Sequence, residues 1–293
     1  MILFYNMHNR VLTLVYALVL AAGVAGCSSK PDSEPPVAAA TVTVDRDKVP
    51  IGSPLKVTYK FDVAQDAKID GDYWVFVHVL EPDGEHLWGD DHRPPVPTSA
   101  WKPGQKVEYT RTVFVPNYPY IGPAIVRIGL YNPSSSKRLT LSAQEASRKE
   151  YDVTKFELQP QSENIFLIYK EGWHPAEVSS DDPNTEWQWT KKSATVSFKN
   201  PKKDGTVYLE YAARIDKFSP PQQITLRIAG QPVGTFAASS KEKALVMFPV
   251  TAAQFGAADV VELVTDVDRT FTPGGSDTRE LGIQVFHVFV DAK

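Results

Sequence analysis

Two neighbouring carboxylates and a histidine stand together at Asp90, Asp91 and His92. Carboxylate oxygens and imidazole nitrogens can bind divalent cations, and His78 could add a ligand from the preceding strand. The alternative is a loop in which His92 pairs with one of the two aspartates. Three prolines within four positions from Pro94 favour a fixed loop. We therefore predict no resident metal, and we keep Asp91 and His92 as candidate ligand-binding residues.

Tryptophans form the second group that could do chemistry. Trp173 and His174 lie between a glycine and a proline, and Trp187 and Trp189 follow soon after. Aromatic faces can pack against the C–H faces of sugar rings, so this group predicts a glycan-binding surface. Trp187 and Trp189 share one face of a strand, but that face can equally point inward and make both rings core residues. Trp101 is a further candidate.

Asp277, Arg279 and Glu280 cluster in a glycine-containing loop before the last apolar strand. A guanidinium beside carboxylates can bind sugar hydroxyls, or it can tie the loop down as an ion pair. The motifs Gly-x-Ser-x-Gly and His-Glu-x-x-His and a phosphate-binding glycine-rich loop with lysine are absent from the sequence. We predict no catalytic residue, although the sequence leaves paired acids for glycoside hydrolysis open.

Cys27 is the only cysteine, and it ends the tetrad Val-Ala-Gly-Cys at 24–27, which closes an apolar run at 11–24. Arg10 precedes the run and no acidic residue does, which is typical of a secretory signal. The tetrad resembles the lipobox of bacterial lipoproteins. This resemblance implies cleavage between Gly26 and Cys27, a diacylglyceryl group on the Cys27 thiol, and a lipid bilayer as partner.

Ser28 stands where an aspartate would favour inner-membrane retention, so the resemblance favours the outer membrane of the cell envelope over the inner. With Cys27 acylated, no thiol remains for a disulfide, a thiolate metal site or a nucleophile. The net charge of −4 and the lack of a basic stripe argue against a nucleic-acid partner. We also predict no cofactor.

The rest of the sequence alternates short strand patterns with turns, for which 23 prolines and 17 glycines are suited. We predict an all-β chain with two tandem β-sandwiches, the first immunoglobulin-like and the second a jelly roll of the galactose-binding-like kind. Residues 142–150 are expected to be a polar break. The predicted organisation is a signal peptide at 1–26, a lipidated tether at 27–40, and sandwiches at 41–158 and 162–293.

Six segments carry a resemblance to known β-sandwich modules. The segments FVHVLEPDG at 76–84, PTSAWKPG at 97–104 and GLYNP at 129–133 are similar to a module appended to bacterial membrane glycosyltransferases of the dolichyl-phosphate-mannose type. The segments GWHPAE at 172–177, WQWT at 187–190 and DTRELG at 277–282 resemble a module found beside envelope-glycan enzymes and in uncharacterised lipoproteins. The catalytic transmembrane part has no counterpart in this sequence, so the resemblance implies an accessory role near glycans.

Three functions are therefore weighed. The first is a lipid-anchored, non-catalytic module that binds a polysaccharide or glycolipid, or holds a glycan-assembly enzyme in place. The second is a structural lipoprotein that contacts only other envelope proteins and whose tryptophans are core residues. The third is an enzyme that acts on glycans, which would need two carboxylates facing one cleft.

Overall fold

The structure is a computed structural model that describes residues 34–117, 120–161, 165–180 and 185–292. The predicted signal peptide, its cleavage site and Cys27 lie outside these residues. Within them the chain is almost entirely β, with one short α-helix, α1 (Ala252–Phe255), and one 3₁₀ turn at Thr98–Ala100. The all-β prediction is thus confirmed. Neither helical segment of this described part is long and apolar enough to span a bilayer.

Eleven strands lie in the first half of the described chain. They are β1 (Ala38–Val44), β2 (Lys48–Pro50), β3 (Pro54–Val63), β4 (Trp74–Leu80), β5 (His86–Gly89), β6 (Lys106–Phe114), β7 (Gly122–Tyr131), β8 (Arg138–Leu139), β9 (Leu141–Ser142), β10 (Gln144–Ser147) and β11 (Glu150–Gln159). One sheet has the order β6-β3-β1-β9, and the other has the order β10-β11-β7-β4-β5, with β2 paired to β11 and β8 to β7. This is the strand order of an immunoglobulin-like sandwich.

Ten strands follow in the second half. They are β12 (Ile168–Tyr169), β13 (Glu177–Val178), β14 (Glu186–Trp189), β15 (Ser193–Lys199), β16 (Gly205–Ala212), β17 (Gln222–Ile228), β18 (Gln231–Ala238), β19 (Ala244–Val250), β20 (Val260–Val267) and β21 (Gln284–Ala292). The two five-stranded sheets have the orders β12-β15-β20-β17-β18 and β13-β14-β21-β16-β19. From β14 onward the chain crosses repeatedly between the sheets, as in a jelly roll.

Each sandwich is held together by its own hydrophobic core. Strand β4 shows how the sequence builds the first one, because Val75 and Val77 point inward while Trp74 and Phe76 occupy the opposite face. Buried residues of both facing sheets join one cluster within residues 37–158, and a second cluster lies within residues 196–290. The two cores therefore draw on different stretches of the chain.

Edge strands are where the structure departs from the expected pattern. Strand β10 lies inside the expected polar break, and all four of its residues are exposed. It forms by backbone pairing to β11, which an apolar pattern cannot reveal. Strand β18 contains Pro232 and Gly234, which argue against a central strand but are tolerated at the edge position that β18 occupies. Strand β1 begins at Ala38, three residues before the expected strand start, because this alanine run pairs with the end of β3.

The two sandwiches touch through aromatic side chains. The Phe114 ring, at the end of β6, stacks on the His287 ring of β21 with a centroid separation of 4.9 Å. The rings of Tyr208 and Phe289, also in the second sandwich, lie 6.2 and 6.1 Å from the Phe114 ring. The outer face of the second sandwich is therefore partly covered by the first.

Candidate functional site

In the first sandwich, His92 is engaged inside the protein. Its side chain is buried, with Nδ1 2.7 Å from the backbone oxygen of Asp90 and Nε2 2.9 Å from the hydroxyl of Tyr109. Burial lowers the pKa of His92, and the nearby Arg111 guanidinium lowers it further. This arrangement matches the loop alternative, in which the histidine pairs with a neighbouring aspartate.

Asp90 and Asp91 serve the same loop. Asp90 accepts two hydrogen bonds from Arg111, from Nε at 2.8 Å and from Nη2 at 2.7 Å. Asp91 accepts from the backbone N–H of Val77 at 3.0 Å. Among the described residues, no group of three or more histidine, cysteine, aspartate or glutamate side chains is placed to hold a metal ion. These carboxylates are arranged to fix the loop against the sandwich.

Trp101 is a core residue. Its side chain is only 6% exposed, its ring lies 5.0 Å from that of Phe61, and its indole N–H donates to the Val96 carbonyl at 3.0 Å. No face of the indole is left for a ligand. The structure therefore does not combine Asp91, His92 and Trp101 into one open site.

In the second sandwich, by contrast, the candidate residues converge at one end. Strands β14, β16 and β20 end there, and β15, β17 and β21 begin there. We call this region the loop end and define it as residues 172–176, 190–192, 213–221 and 268–283. The strands that border it place residues 187–189 beside it.

Hydrogen bonds tie the three predicted segments of the loop end together. His174 donates its backbone N–H to Trp189 at 2.9 Å, and its Nε2 lies 2.8 Å from the backbone oxygen of Glu280. Gln188 donates from Nε2 to the His174 carbonyl at 3.1 Å. The spatial association of residues 173–174, 187–189 and 277–280 is thus a property of the fold, although these segments are far apart in sequence.

The tryptophans of this end differ in exposure. Trp189 is 7% exposed and packs edge-on against Phe271 at 5.7 Å. Trp173 is half-buried, and its indole N–H donates to the Thr195 carbonyl at 2.8 Å. Trp187 is also half-buried and lies 6.1 Å from the Phe286 ring. The inward alternative therefore describes Trp189 well, whereas Trp173 and Trp187 keep part of their surface in solvent.

Arg279 forms ion pairs with two carboxylates. It contacts Asp277 at 2.7 Å and Glu177 at 2.6 Å. The hydrogen bonds from Arg279 hold the pKa of Asp277 at about 2, and the two carboxylates raise the pKa of Arg279. The nearby Glu280 carboxylate accepts a hydrogen bond from Thr270 at 2.7 Å. The charges at this end are therefore fixed in position but remain partly open to solvent.

The structure adds four residues to the loop end that the sequence did not single out as a site. Arg214 lies 5.6 Å from the Phe271 ring and Arg269 lies 5.2 Å from the Phe218 ring, while the two phenylalanine rings are 6.1 Å apart. Both phenylalanines are half-buried. One sequence signal could have identified the two phenylalanines, because each lies in a loop two residues before a proline.

Comparisons with known proteins give no family. No protein-family model and no curated protein matches the chain. Solved structures give weak fold-level matches, among them a Pseudomonas fluorescens alkylpurine DNA glycosylase bound to DNA, at 12% identity and a TM-score of 0.27, covering 42% of this chain and 31% of that one. A protein named pT26-6p matches at 7% identity and a TM-score of 0.27, with 88% of this chain and 63% of that chain covered. A Salmonella alpha-2-macroglobulin variant matches at 11% identity and a TM-score of 0.25, covering 88% of this chain and 15% of that chain.

The chain thus spans less than two thirds of the length of each of these three proteins. Likenesses this weak carry no argument about function.

Proposed function

We propose that this protein is a lipid-anchored, non-catalytic accessory module of a bacterial cell envelope, which binds a polysaccharide or glycolipid through the loop end. The motif at Cys27 supports the anchor, and the resemblance of both halves to modules of envelope-glycan enzymes supports the glycan. Ser28, which stands where an aspartate would favour inner-membrane retention, supports the outer membrane over the inner membrane.

The observation that carries the glycan assignment is the paired aromatic and cationic surface at the loop end. Phe218 and Phe271 are half-buried, and although an arginine lies over one face of each ring, part of their apolar surface stays in solvent, where it suits the C–H faces of a sugar. Arg214 lies beside one of these rings and is held by two hydrogen bonds to Asp216 at 2.8 and 2.7 Å. Its remaining N–H groups can donate to hydroxyls, and because the side chain is already held in place, little conformational entropy is lost on binding.

The carboxylates of this end supply the complementary acceptors. A sugar hydroxyl both donates and accepts hydrogen bonds, so a site with guanidinium and carboxylate groups suits it better than a site of one charge. Asp277, Arg279 and Glu177 provide such a set, and Asp277 and Arg279 lie in the loop between Phe271 and Leu281, whose ends pair with each other. Asp277 does not suit the role of a general acid, because a general acid needs a raised pKa and the pKa of Asp277 is lowered to about 2.

One observation favours the structural alternative. Phe166 is 75% exposed, Ile168 58% and Val178 54%. Apolar side chains that stay this open often mark a surface that another protein covers. A protein partner in the envelope is therefore the second candidate. Glycan binding at the loop end would depend on Phe271, whereas binding of a protein partner would depend on Phe166.

Paired variants separate the two functions. Phe271→Ala should weaken binding to envelope polysaccharide at least tenfold in a glycan array and a polysaccharide pulldown, whereas Phe166→Ala should leave binding unchanged. The opposite pattern, with envelope proteins captured only when Phe166 is present, would favour the protein partner. Absence of any glycan bound by the wild-type chain would rule out the sugar assignment.

The anchor is tested on its own. Metabolic labelling with a palmitate analogue should mark the wild-type chain and not Cys27→Ser. Membrane fractionation of the labelled cells should place the chain with the outer membrane. A chain that carries no lipid label would remove the anchor but would leave the loop-end result as it stands.

A further inference from the structure

A groove in the first sandwich is a candidate for a second ligand site. It lies between the chain before β4, the loop that follows β5 and the turn between β7 and β8, and its volume is about 350 Å³. Its polar walls include Asp72, Arg93, Asn132 and Ser134, and Trp74 lies beside them. This volume falls at the lower end of the range for small-molecule sites. We call it the Trp74 groove.

Arg93 is presented to this groove by stacking. Its guanidinium carbon lies 5.0 Å from the centre of the Trp74 ring, while the side chain stays exposed. The salt bridges found among the described residues do not involve Arg93. A guanidinium stacked on an aromatic face keeps its N–H groups at its edge free to donate. Arg93 is therefore a positioned donor that forms no salt bridge within the described residues, although its charge helps to lower the pKa of Asp72.

Asp72 is the matching acceptor. Its Oδ1 accepts hydrogen bonds from the Ser99 backbone N–H at 3.3 Å and from the Ser99 hydroxyl at 2.5 Å. These bonds lower the pKa of Asp72, so the carboxylate is ionised and held in one orientation. Among the described residues no hydrogen bond to Oδ2 is found, so a ligand at Asp72, which lines the groove, can use the lone pairs of this atom.

Asn132 fixes the opposite wall. Its side-chain amide donates to the Asp72 carbonyl at 3.2 Å and accepts from the backbone N–H groups of Ser134 and Ser135 at 2.9 and 3.1 Å. The turn that carries Ser134 is thereby joined to the segment that carries Asp72. The groove is preorganised, which reduces the entropy lost when a ligand binds.

We propose that the Trp74 groove binds one neutral, hexose-type ring of a glycan. The groove holds a fixed carboxylate beside a fixed guanidinium. An anionic ligand is therefore repelled by Asp72, and a cationic ligand is repelled by Arg93. A pair of neighbouring hydroxyls satisfies both, since each hydroxyl can donate to Asp72 and accept from Arg93. The prolines of both loops, together with the part of the Trp74 indole that Arg93 does not cover, supply apolar surface for the ring.

This proposal rests on the glycan-binding function proposed above, and it makes the chain bivalent. Two weak sites on one chain engage a repeating polymer with an avidity that exceeds either affinity. The groove lies in the first sandwich and the loop end in the second, so the two sites can be read separately.

Indole N–H signals provide the separate readings. The chain has six tryptophans, and labelling the full-length chain with ¹⁵N-tryptophan gives one signal for each. Trp74→Phe identifies the Trp74 signal and Trp189→Phe identifies the Trp189 signal. The probes are D-glucose, D-galactose, D-mannose and N-acetyl-D-glucosamine, with D-glucuronate and D-glucosamine as the charged counterparts.

At least one neutral probe should shift the Trp74 signal saturably, and Arg93→Gln should weaken that binding at least tenfold. Arg148→Gln, which changes another exposed arginine outside the groove, should leave the binding unchanged. A Trp74 signal that no neutral probe shifts, that only a charged probe shifts, or that shifts equally in Arg93→Gln would overturn the proposal. A shift of the Trp189 signal without a shift of the Trp74 signal would support the loop-end site and overturn the groove site. A shift of the Trp74 signal alone would support the groove site and contradict the loop-end site.

Discussion

The two sandwiches use arginine–carboxylate pairs in different ways. In the first, Arg111 and Asp90 join strand β6 to the loop after β5, and the Asp90 side chain is only 18% exposed. In the second, Arg279 joins Asp277 and Glu177 at the loop end, where each of the three side chains is about one third exposed. The same chemical pair therefore closes the edge of one sandwich and forms part of an accessible surface in the other. Residue type does not distinguish these roles, whereas burial does.

The tryptophans show the same difference most strongly. Trp101→Ala should lower the free energy of unfolding of the first sandwich by about 3–5 kcal/mol, the usual loss for a buried tryptophan in a packed core. Trp187→Ala should cost the second sandwich clearly less free energy, because Trp187 is half-buried and its indole N–H has no hydrogen-bond partner among the described residues. Urea unfolding followed by hydrogen-exchange mass spectrometry would measure both, with peptides from each sandwich read separately. Equal losses would contradict the comparison.

The sequence predicts the positions of the main strands well, but it does not show which tryptophan is buried and which is exposed. The alternating residues 55–61 predict one strand and the run 73–80, apolar on both faces, predicts another; the observed β3 and β4 differ from these bounds by one or two residues. Trp101 was nevertheless a candidate ligand residue, because a sequence does not show that Phe61 lies against its ring. Edge strands such as β10 were missed since backbone pairing holds them.

The loop end illustrates the same limit. Its aromatic and charged residues could be selected by type, and the alternatives of sugar contact and ion pair were both visible. The partner could not be selected, because Glu177 and Arg279 are 102 residues apart. Long-range pairing of this kind is decided by the crossing of strands between the sheets.

The two arginines should differ in their effect on stability. Arg111→Met removes two hydrogen bonds from a mostly buried carboxylate, so we expect a loss of about 1–3 kcal/mol in the first sandwich. Arg279→Met leaves carboxylates that water can solvate, so we expect a much smaller change in the second. Thermal or urea midpoints of each sandwich test this pair. A larger loss for Arg279→Met would mean that the loop end, too, is held mainly by its ion pair.

The smallest expected effect concerns pH. Because the pKa of His92 is lowered from 6.5 in the folded chain, the unfolded chain binds a proton first as the pH falls. Stability contributed by neutral His92 is complete above about pH 6.5 and decreases below it, by at most about 1.4 kcal/mol per pH unit. His92→Gln should reduce the acid sensitivity of the first sandwich between about pH 7.5 and pH 5.5. Burial also lowers the pKa of His78, so some sensitivity should persist in both proteins.

A His92→Gln protein with undiminished acid sensitivity would assign the effect to other groups. Urea midpoints at the two pH values, read from peptides of the first sandwich, provide the measurement. Peptides of the second sandwich serve as the internal control.

The position of β21 has a consequence for when the protein can fold. Strand β21 is the last strand of the described residues, yet it lies at the centre of its sheet, between β14 and β16. The first sandwich is complete once residue 159 has emerged from a ribosome or a translocation pore, because β11 is its final strand. The second must wait for β21, and until then the edges of β14 and β16 that face β21 have no strand to pair with, although β13 and β19 cover their other edges. A nascent chain that stalls before residue 284 would therefore present one finished sandwich and one sheet split through its middle.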